Sequence, residues 1–458
     1  MKNMDKVKRK LLKSRKVNMT GVMSLGFLAV ILAGMLLLML PISSQSRQAT
    51  DFLTSLFTSV SATCVTGLIT VDTGAYWSAF GQAVILIMIQ IGGLGFMTVA
   101  VLGGLLIGRS LTPRDRMMVA MSYNLNSYES VFELLRKIII GTAIFESLGA
   151  LVLMTRLVPQ LGVKGIWISC FTSVSAFCNA GFDIFGTGNS VCDYAKDPVV
   201  SYTLIFLTVI GGIGFLVWSD VLNFFQRKKK RLSVYSKLVL IITAILLVGG
   251  AVIIAIFEWN NTEIFGDFTW NEKLRAALFH SACLRTSGFA SVNGANFREG
   301  TLLFSSVLMF IGGASGSTAG GAKVVTVGVL IYTVWCVARG KKEIVILNRR
   351  ISKDSFTRAV AVFTVQLVLM ITGTMLLLAA EKGLSIGAVL YEVASAVNTV
   401  GVSVGITAGL SVFSKLVLIV LMYFGRVGIF TVAYAMMMRH TSSTSSSISY
   451  PEANLLIG

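Results

Sequence analysis

The sequence predicts an all-α polytopic membrane protein made of four tandem units of one design. Three observations carry that prediction. The 458 residues are 55% hydrophobic and only 13% charged, with mean hydropathy +0.79. A soluble domain carries about a quarter charged residues, and no soluble core would hide this much apolar surface. Apolar runs long enough to cross a bilayer, about 20 residues, recur along the chain. Last, a short polar patch closing on one glycine occurs four times. The copies are Thr63-Cys-Val-Thr-Gly-Leu68, Phe177-Cys-Asn-Ala-Gly-Phe182, Leu284-Arg-Thr-Ser-Gly-Phe289 and Asn398-Thr-Val-Gly-Val402. Their glycines, Gly67, Gly181, Gly288 and Gly401, lie 114, 107 and 113 residues apart.

Each unit has a first apolar crossing, a shorter amphipathic run ending at the patch, and a second crossing. In the first unit these are about Gly21 to Pro41, Ala49 to Ala62 and Phe80 to Ile107; in the second, Ile138 to Val158, Gly165 to Phe177 and Ser201 to Phe225. In the third they are Leu238 to Trp259, Asn271 to Cys283 and Leu302 to Val337; in the fourth, Thr357 to Ala380, Leu384 to Val397 and Val412 to Met438. The units therefore span 17–110, 111–230, 231–345 and 346–440, between tails at 1–16 and 441–458. The middle runs are too short to span, so they are expected to re-enter the membrane. Irregular backbone at that depth must be buried in protein or line water. A second motif repeats too: Ile91-Gly-Gly-Leu-Gly-Phe96 and Ile210-Gly-Gly-Ile-Gly-Phe215, then, altered, Ile311-Gly-Gly-Ala-Ser-Gly316 and Phe424-Gly-Arg-Val-Gly428. Such glycines suit close helix packing and are compatible with lining a pore.

The formal charge of +18 does not indicate nucleic-acid binding, because the basic residues sit in short segments between apolar runs. Lys2 to Lys16, Arg109 to Arg116, Arg227 to Lys237, Arg339 to Arg358 and Arg439-His440 follow the positive-inside rule. Both termini are then expected in the cytosol and the patches toward the outside. Asp51, Asp72, Asp183, Asp193, Glu258, Glu263 and Asp267 fall on the outer side, where negative charge attracts cations. Lys2 to Lys16 is too basic for a cleaved leader and reads as a cytosolic tail. The six cysteines form no CxxC pair, and no nucleophile–base pair, metal cluster or phosphate loop emerges, so an enzyme is not expected.

A dehydrating cation needs a ring of oxygens, and four patches facing one axis supply backbone carbonyls. Glycine is needed because such carbonyls require angles a side chain resists. Thr66, Ser287 and Thr399 offer hydroxyls that either support the loops or add ligands. The arrangement resembles the Ktr/Trk/HKT potassium transporter superfamily over about Val17 to Arg439, and the membrane subunits of bacterial Ktr uptake systems most of all. The resemblance implies four helix–pore-helix–helix units around a pseudo-fourfold ion pore. It implies a potassium selectivity filter at Val65, Thr66 and Gly67; Asn179, Ala180 and Gly181; Thr286, Ser287 and Gly288; and Thr399, Val400 and Gly401. Potassium would be held at the four glycines, and an intact Gly67 favours potassium over sodium. It further implies a homodimer in the bacterial plasma membrane, lipid contacts, sodium as activator, and a KtrA-like cytosolic nucleotide-binding ring. A sodium-coupled potassium symporter of the Trk/HKT type is the alternative.

Two further features match that family. Gly312, Gly313, Ala314, Ser315, Gly316, Ser317, Thr318, Ala319, Gly320 and Gly321, leading to Lys323, cannot form a stable helix interior, since each glycine costs about 1 kcal/mol against alanine. The stretch reads as a helix break, which the resemblance makes an intramembrane gating loop; a packing helix rich in small residues is the other reading. Arg426 stands well inside the last apolar run, whose only other charge is Lys415 near its start. It either faces the pore as a barrier to cations or snorkels to the interface. Arg285 and Glu392 read as braces behind the filter, His280 as a packing residue, and Glu146 as an intramembrane carboxylate with no assigned partner. His440 offers none either.

Overall fold

The computed structural model describes residues 19–106, 112, 119, 131–341, 343–347 and 349–428. The expected tails at 1–16 and 441–458, the basic run 109–116 except residue 112, Arg439 and His440 lie outside the described residues. Helices fall into four successive sets. The first holds α1 (Met19–Met39), α2 (Phe52–Thr63), α3 (Ala79–Leu94) and α4 (Phe96–Leu106). The second holds α5 (Val131–Leu161), α6 (Lys164–Phe177), α7 (Pro198–Gly212) and α8 (Phe215–Phe225). The third holds α9 (Val234–Glu258), α10 (Trp270–Cys283), α11 (Glu299–Phe310) and α12 (Val324–Ala338). The fourth holds α13 (Lys353–Ala380), α14 (Ile386–Val397) and α15 (Val412–Val427). The described strands are one short hairpin, Val345–Ile346 against Arg349–Arg350, between α12 and α13.

The first helices α1, α5, α9 and α13 are long and apolar enough to cross a bilayer. On α9, Ile241, Ile245, Val248, Val252 and Ile256 form an exposed stripe at helical spacing. Leu25, Leu28, Leu32 and Leu36 do the same on α1. Apolar stripes of that size belong against lipid. The short helices α2, α6, α10 and α14 are buried instead, carrying Ser55, Thr58, Ser59, Ser61 and Thr63 inward on α2. Each packs on the first helix of its own set. Each second crossing then packs on the pore helix of the next set: α3 on α6, α7 on α10, α11 on α14, and α15 back on α2. The four sets thus close into a ring.

The second crossings differ from the continuous runs read from the sequence. Between α3 and α4 the chain turns by 104°, and between α7 and α8 by 96°. The bends fall on Gly95 (φ 84°, ψ 133°) and Gly214 (φ 92°, ψ 144°), the third glycine of the second motif. Gly428, its counterpart after α15, has φ 83° and ψ 126°. Hydropathy passes through these positions without a change, so composition does not reveal them. Positive φ with extended ψ ends a helix and is nearly reserved to glycine. The first glycine of the motif has another role. A Cβ on Gly92, Gly211 or Gly425 would run into the carbonyl of Thr63, Phe177 or Val397, the last residue of its own unit's pore helix.

Candidate ion pathway

All four pore helices end in the same backbone turn. The residue two before each patch glycine is left-handed: Val65 (φ 57°), Asn179 (φ 59°), Thr286 (φ 72°) and Thr399 (φ 49°). The glycines themselves follow at φ 97°, 71°, 80° and 94°. The residue between has negative φ, and its N–H bonds back to the pore helix. Thr66, Ala180 and Val400 donate to Ser61, Ser175 and Ser395 O at 2.8 Å, and Ser287 to Cys283 O at 2.9 Å. Ser61 and Ser395 Oγ take the N–H groups of Gly67 and Gly401 at 3.1 and 2.9 Å. With these donors spent on the helix ends, the backbone carbonyl oxygens of the turns are left to offer, the chemistry of a cation site.

The four turns touch in a closed cycle. A Cβ on Gly67 would strike Ala180 O, and one on Gly181 would stand 2.8 Å from Ser287 O. One on Gly288 would lie 3.0 Å from Val400 O, and one on Gly401 would strike Thr66 O. Glycine and neighbouring carbonyl alternate around the ring, which leaves no room for a side chain at any of the four. Of the hydroxyls singled out above, Ser287 bonds Thr208 Oγ1 at 2.8 Å and supports the loop. Those of Thr66 and Thr399 are buried without a hydrogen-bond partner among the described residues.

Below the ring, the glycine-rich stretch separates α11 from α12 as an extended loop with left-handed turns at Gly316 and Gly321. It is tied to the second unit, where Ala314 N donates to Gly212 O at 2.9 Å and Phe215 N donates to Gly316 O at 2.9 Å. Tyr235 Oη on α9 donates to Ser315 O at 2.9 Å. At its other end a Cβ on Gly320 would strike Thr399 of the fourth unit. Lys323 Nζ folds back onto Ala319 O at 2.8 Å. Arg426, in the last turn of α15, donates to Thr318 O in the loop and to Gly92 O at the end of α3, with Gly93 O at 3.4 Å. One guanidinium therefore links the loop to the first and fourth units, a geometry unlike snorkelling.

The bracing residues lie behind the ring. Arg285 Nη2 donates to Thr243 Oγ1 on α9 at 3.3 Å. Glu392 accepts from Ser403 Oγ at 2.8 Å and from Thr407, holding the segment past Gly401. His280 packs its ring 4.6 Å from that of Phe297. Several of the carboxylates expected on the outer side do structural duty. Asp51 and Asp72 cap helices, and Glu258 is fully buried, accepting from Asn261 Nδ2 at 2.6 Å, Arg298 N at 3.1 Å and Thr301. Asp183, two residues beyond Gly181, is raised to about 7 by burial and then by the charge of Asp72. Among the described residues no cluster of His, Cys, Asp or Glu would hold a metal ion.

Sequence reading missed one set of residues. Gly34, Gly149, Gly250 and Gly373 sit on the first helices where the pore helices come close, at Gly34 and Gly373 together with Met88 and Leu421 of the second crossings. A Cβ there would meet Ser59 Oγ at 2.9 Å, Ser173 Oγ at 2.5 Å, Ser281 Oγ, and Val393 Cγ1 at 3.0 Å. The serines use that approach to donate to first-helix carbonyls: Ser59 to Ile31 at 2.6 Å, Ser173 to Glu146 at 2.7 Å and Ser281 to Leu247 at 2.9 Å. Their distance to the patch varies with loop length, so no constant spacing marks them.

A helical fold with several membrane-spanning helices, whose four buried helices end in a closed cycle of carbonyl-bearing turns, has the chemistry of a cation-transporting membrane protein. The chain belongs to the TrkH family of cation transport proteins, whose profile matches residues 7–448. It is 36% identical to the potassium/sodium uptake protein NtpJ of Enterococcus hirae over 449 residues, 97% of this chain and 98% of that one. It is 37% identical to the Ktr system potassium uptake protein B of Bacillus subtilis over 452 residues, 98% and 99% of the two chains. Its fold matches the crystal structure of the potassium transporter TrkH from Vibrio parahaemolyticus with a TM-score of 0.68, at 19% identity, covering 91% of this chain and 85% of the other.

Proposed function

We propose that this protein is the potassium-translocating membrane subunit of a Ktr-type uptake system in the bacterial plasma membrane. The observation that carries the reading is the closed cycle of four left-handed turns, in which glycine and carbonyl alternate with no side chain between. Potassium passes in single file through the carbonyls at Val65–Gly67, Asn179–Gly181, Thr286–Gly288 and Thr399–Gly401. These replace its water, as oxygen rings do in ion filters. The loop from Gly312 to Gly321, with Lys323, and the guanidinium of Arg426 close the path below. The barrier is steric and electrostatic at once, since a fixed positive charge in a low-dielectric path repels a cation strongly. The relatives named as proteins of a Ktr system support a partner subunit; our reading makes it a nucleotide-binding cytosolic ring under a homodimer, with both termini on the cytosolic side because the basic segments lie there by the positive-inside rule.

The test is potassium flux into proteoliposomes. Arg426→Ala removes the hydrogen bonds to Thr318 and Gly92, and deletion of 313–321 removes the loop. Each is expected to raise flux by about tenfold or more, the effect of lowering a barrier by about 1.4 kcal/mol. Unchanged flux in folded protein refutes the gate. A second reading, a sodium-coupled potassium symporter, is favoured by the name of the Enterococcus relative. Potassium uptake that follows an imposed sodium gradient supports it, and sodium stimulation without gradient dependence supports activation.

A further inference from the structure

Glu146 stands near the middle of α5 and takes no part in the ring or the barrier. What it touches lies directly behind the second filter segment. In two other units the side chain three residues before the patch glycine ties its segment to the unit's own first helix. Arg285 does so through Thr243 at 3.3 Å, and Asn398 Oδ1 by accepting from Gln366 Nε2 at 2.7 Å. In the second unit that position is Cys178, and its sulfur lies 3.8 Å from Glu146 Oε1. The same sulfur lies 3.4 Å from Gln90 Oε1 on α3, and Gln90 Nε2 lies 3.3 Å from Glu146 Oε2. Gly93 allows this approach: a Cβ there would stand 2.7 Å from Cys178 Sγ.

Counting hydrogens decides the state of this cluster. A thiol has one hydrogen, and a carboxylate only accepts. If Glu146 is ionised, Cys178 can satisfy Gln90 Oε1 or Glu146 Oε1 but not both. If Glu146 is a carboxylic acid, its hydroxyl donates to the sulfur, the thiol donates to Gln90 Oε1, and Gln90 Nε2 donates to Glu146 Oε2. Every group is then used once and the ring closes. No ion pair to Glu146 occurs among the described residues to favour the charged form. Two and three residues further along α3 from Gln90, Arg426 holds the carbonyls of Gly92 and Gly93. At the matching register, three residues before the close-packing glycine, the other first helices carry Ile31, Leu247 and Met370, so this device belongs to the second unit alone.

We infer that Glu146 is a positioning residue for the filter. It acts as a neutral carboxylic acid in a closed ring with Cys178 and Gln90, and that ring ties the second filter segment to α5 and to the inner helix of the first unit. The inference rests on the reading of Asn179, Ala180 and Gly181 as filter. The test measures potassium and sodium flux through the full-length protein in proteoliposomes, together with its infrared spectrum. The wild-type spectrum should contain a carboxylic-acid carbonyl band that Glu146→Gln removes. Glu146→Leu should lower potassium-over-sodium discrimination by about tenfold, the weight of one lost hydrogen bond at the upper end of the usual range. Glu146→Gln, whose amide still donates to sulfur and accepts from Gln90, should restore discrimination. If the leucine variant fails to fold, Cys178→Ala against Cys178→Ser reads the same ring, with serine expected to retain discrimination. Absence of the acid band, glutamine as damaging as leucine, or discrimination unchanged in Glu146→Leu and Cys178→Ala overturns the inference. Failure of the filter reading shows separately, as a wild-type protein that does not discriminate, and the band still decides the state of Glu146.

Discussion

At the scale of single residues, the four patch glycines combine two demands. Each holds a positive φ, and each sits against a carbonyl of the next unit. The first demand costs an alanine about 1–2 kcal/mol; the second depends on how far the neighbour must move. Substitutions should therefore grade. Gly401→Ala and Gly67→Ala, which strike Thr66 O and Ala180 O, are expected to abolish selective potassium uptake. Gly288→Ala, whose Cβ would stand 2.7 Å from Gly181 Cα and 3.0 Å from Val400 O, the least severe approach of the four, should retain the most. Growth at limiting potassium of cells lacking other uptake systems checks the order, and equal growth of all four variants refutes it. These glycines were legible in the sequence because their demand is local and repeats near every 110 residues. Arg426 was legible as a charge out of place, but its partners, 108 and 334 positions away, were not.

At the scale of elements, the second crossings are pieces jointed at glycine. Gly95 and Gly214 have nearly the same backbone angles but different surroundings. A Cβ on Gly95 would meet nothing within 4 Å among the described residues, whereas one on Gly214 would meet Ser315 O at 3.1 Å. Gly95→Ala should cost only backbone strain, about 1–3 kcal/mol. Gly214→Ala should cost more and disturb the loop that Phe215 N helps to hold. Thermal unfolding in detergent measures the first difference, and potassium leak in liposomes the second. The bends escaped sequence reading because apolar composition continues through them; each angle turns on one φ, and at Gly214 also on a hydrogen bond from Phe215 N to a loop a hundred residues on. The break at 312–321 was legible for the opposite reason, since its composition alone is incompatible with a helix.

At the scale of the whole molecule, the ring must close between the last unit and the first. Tyr423 Oη sits 2.7 Å from Ser24 Oγ and donates to Ser24 O at 2.9 Å, across 399 positions of sequence. With α15 packed on α1 and α2, this is the seam of the cycle. Tyr423→Phe should cost about 0.5–1.5 kcal/mol of stability, the usual net worth of such a bond. If the seam holds the ring in register, potassium-over-sodium discrimination should also fall; a stability loss with discrimination intact would show the seam to be structural only. Calorimetry and paired ion-flux measurements separate the two.

Composition and repeats were enough for the class of fold, the count of units, the four patch glycines and the place where a helix must break. Each of these follows from local chemistry: hydropathy per residue, a glycine where no side chain fits, a run too rich in small residues to stay helical. Only the tertiary structure decided the bends at Gly95 and Gly214, the approach at Gly34, Gly149, Gly250 and Gly373, the partners of Arg426 and the company kept by Glu146. Those depend on which carbonyl or side chain another unit brings within a few ångströms, and loops of unequal length carry no constant spacing to announce it.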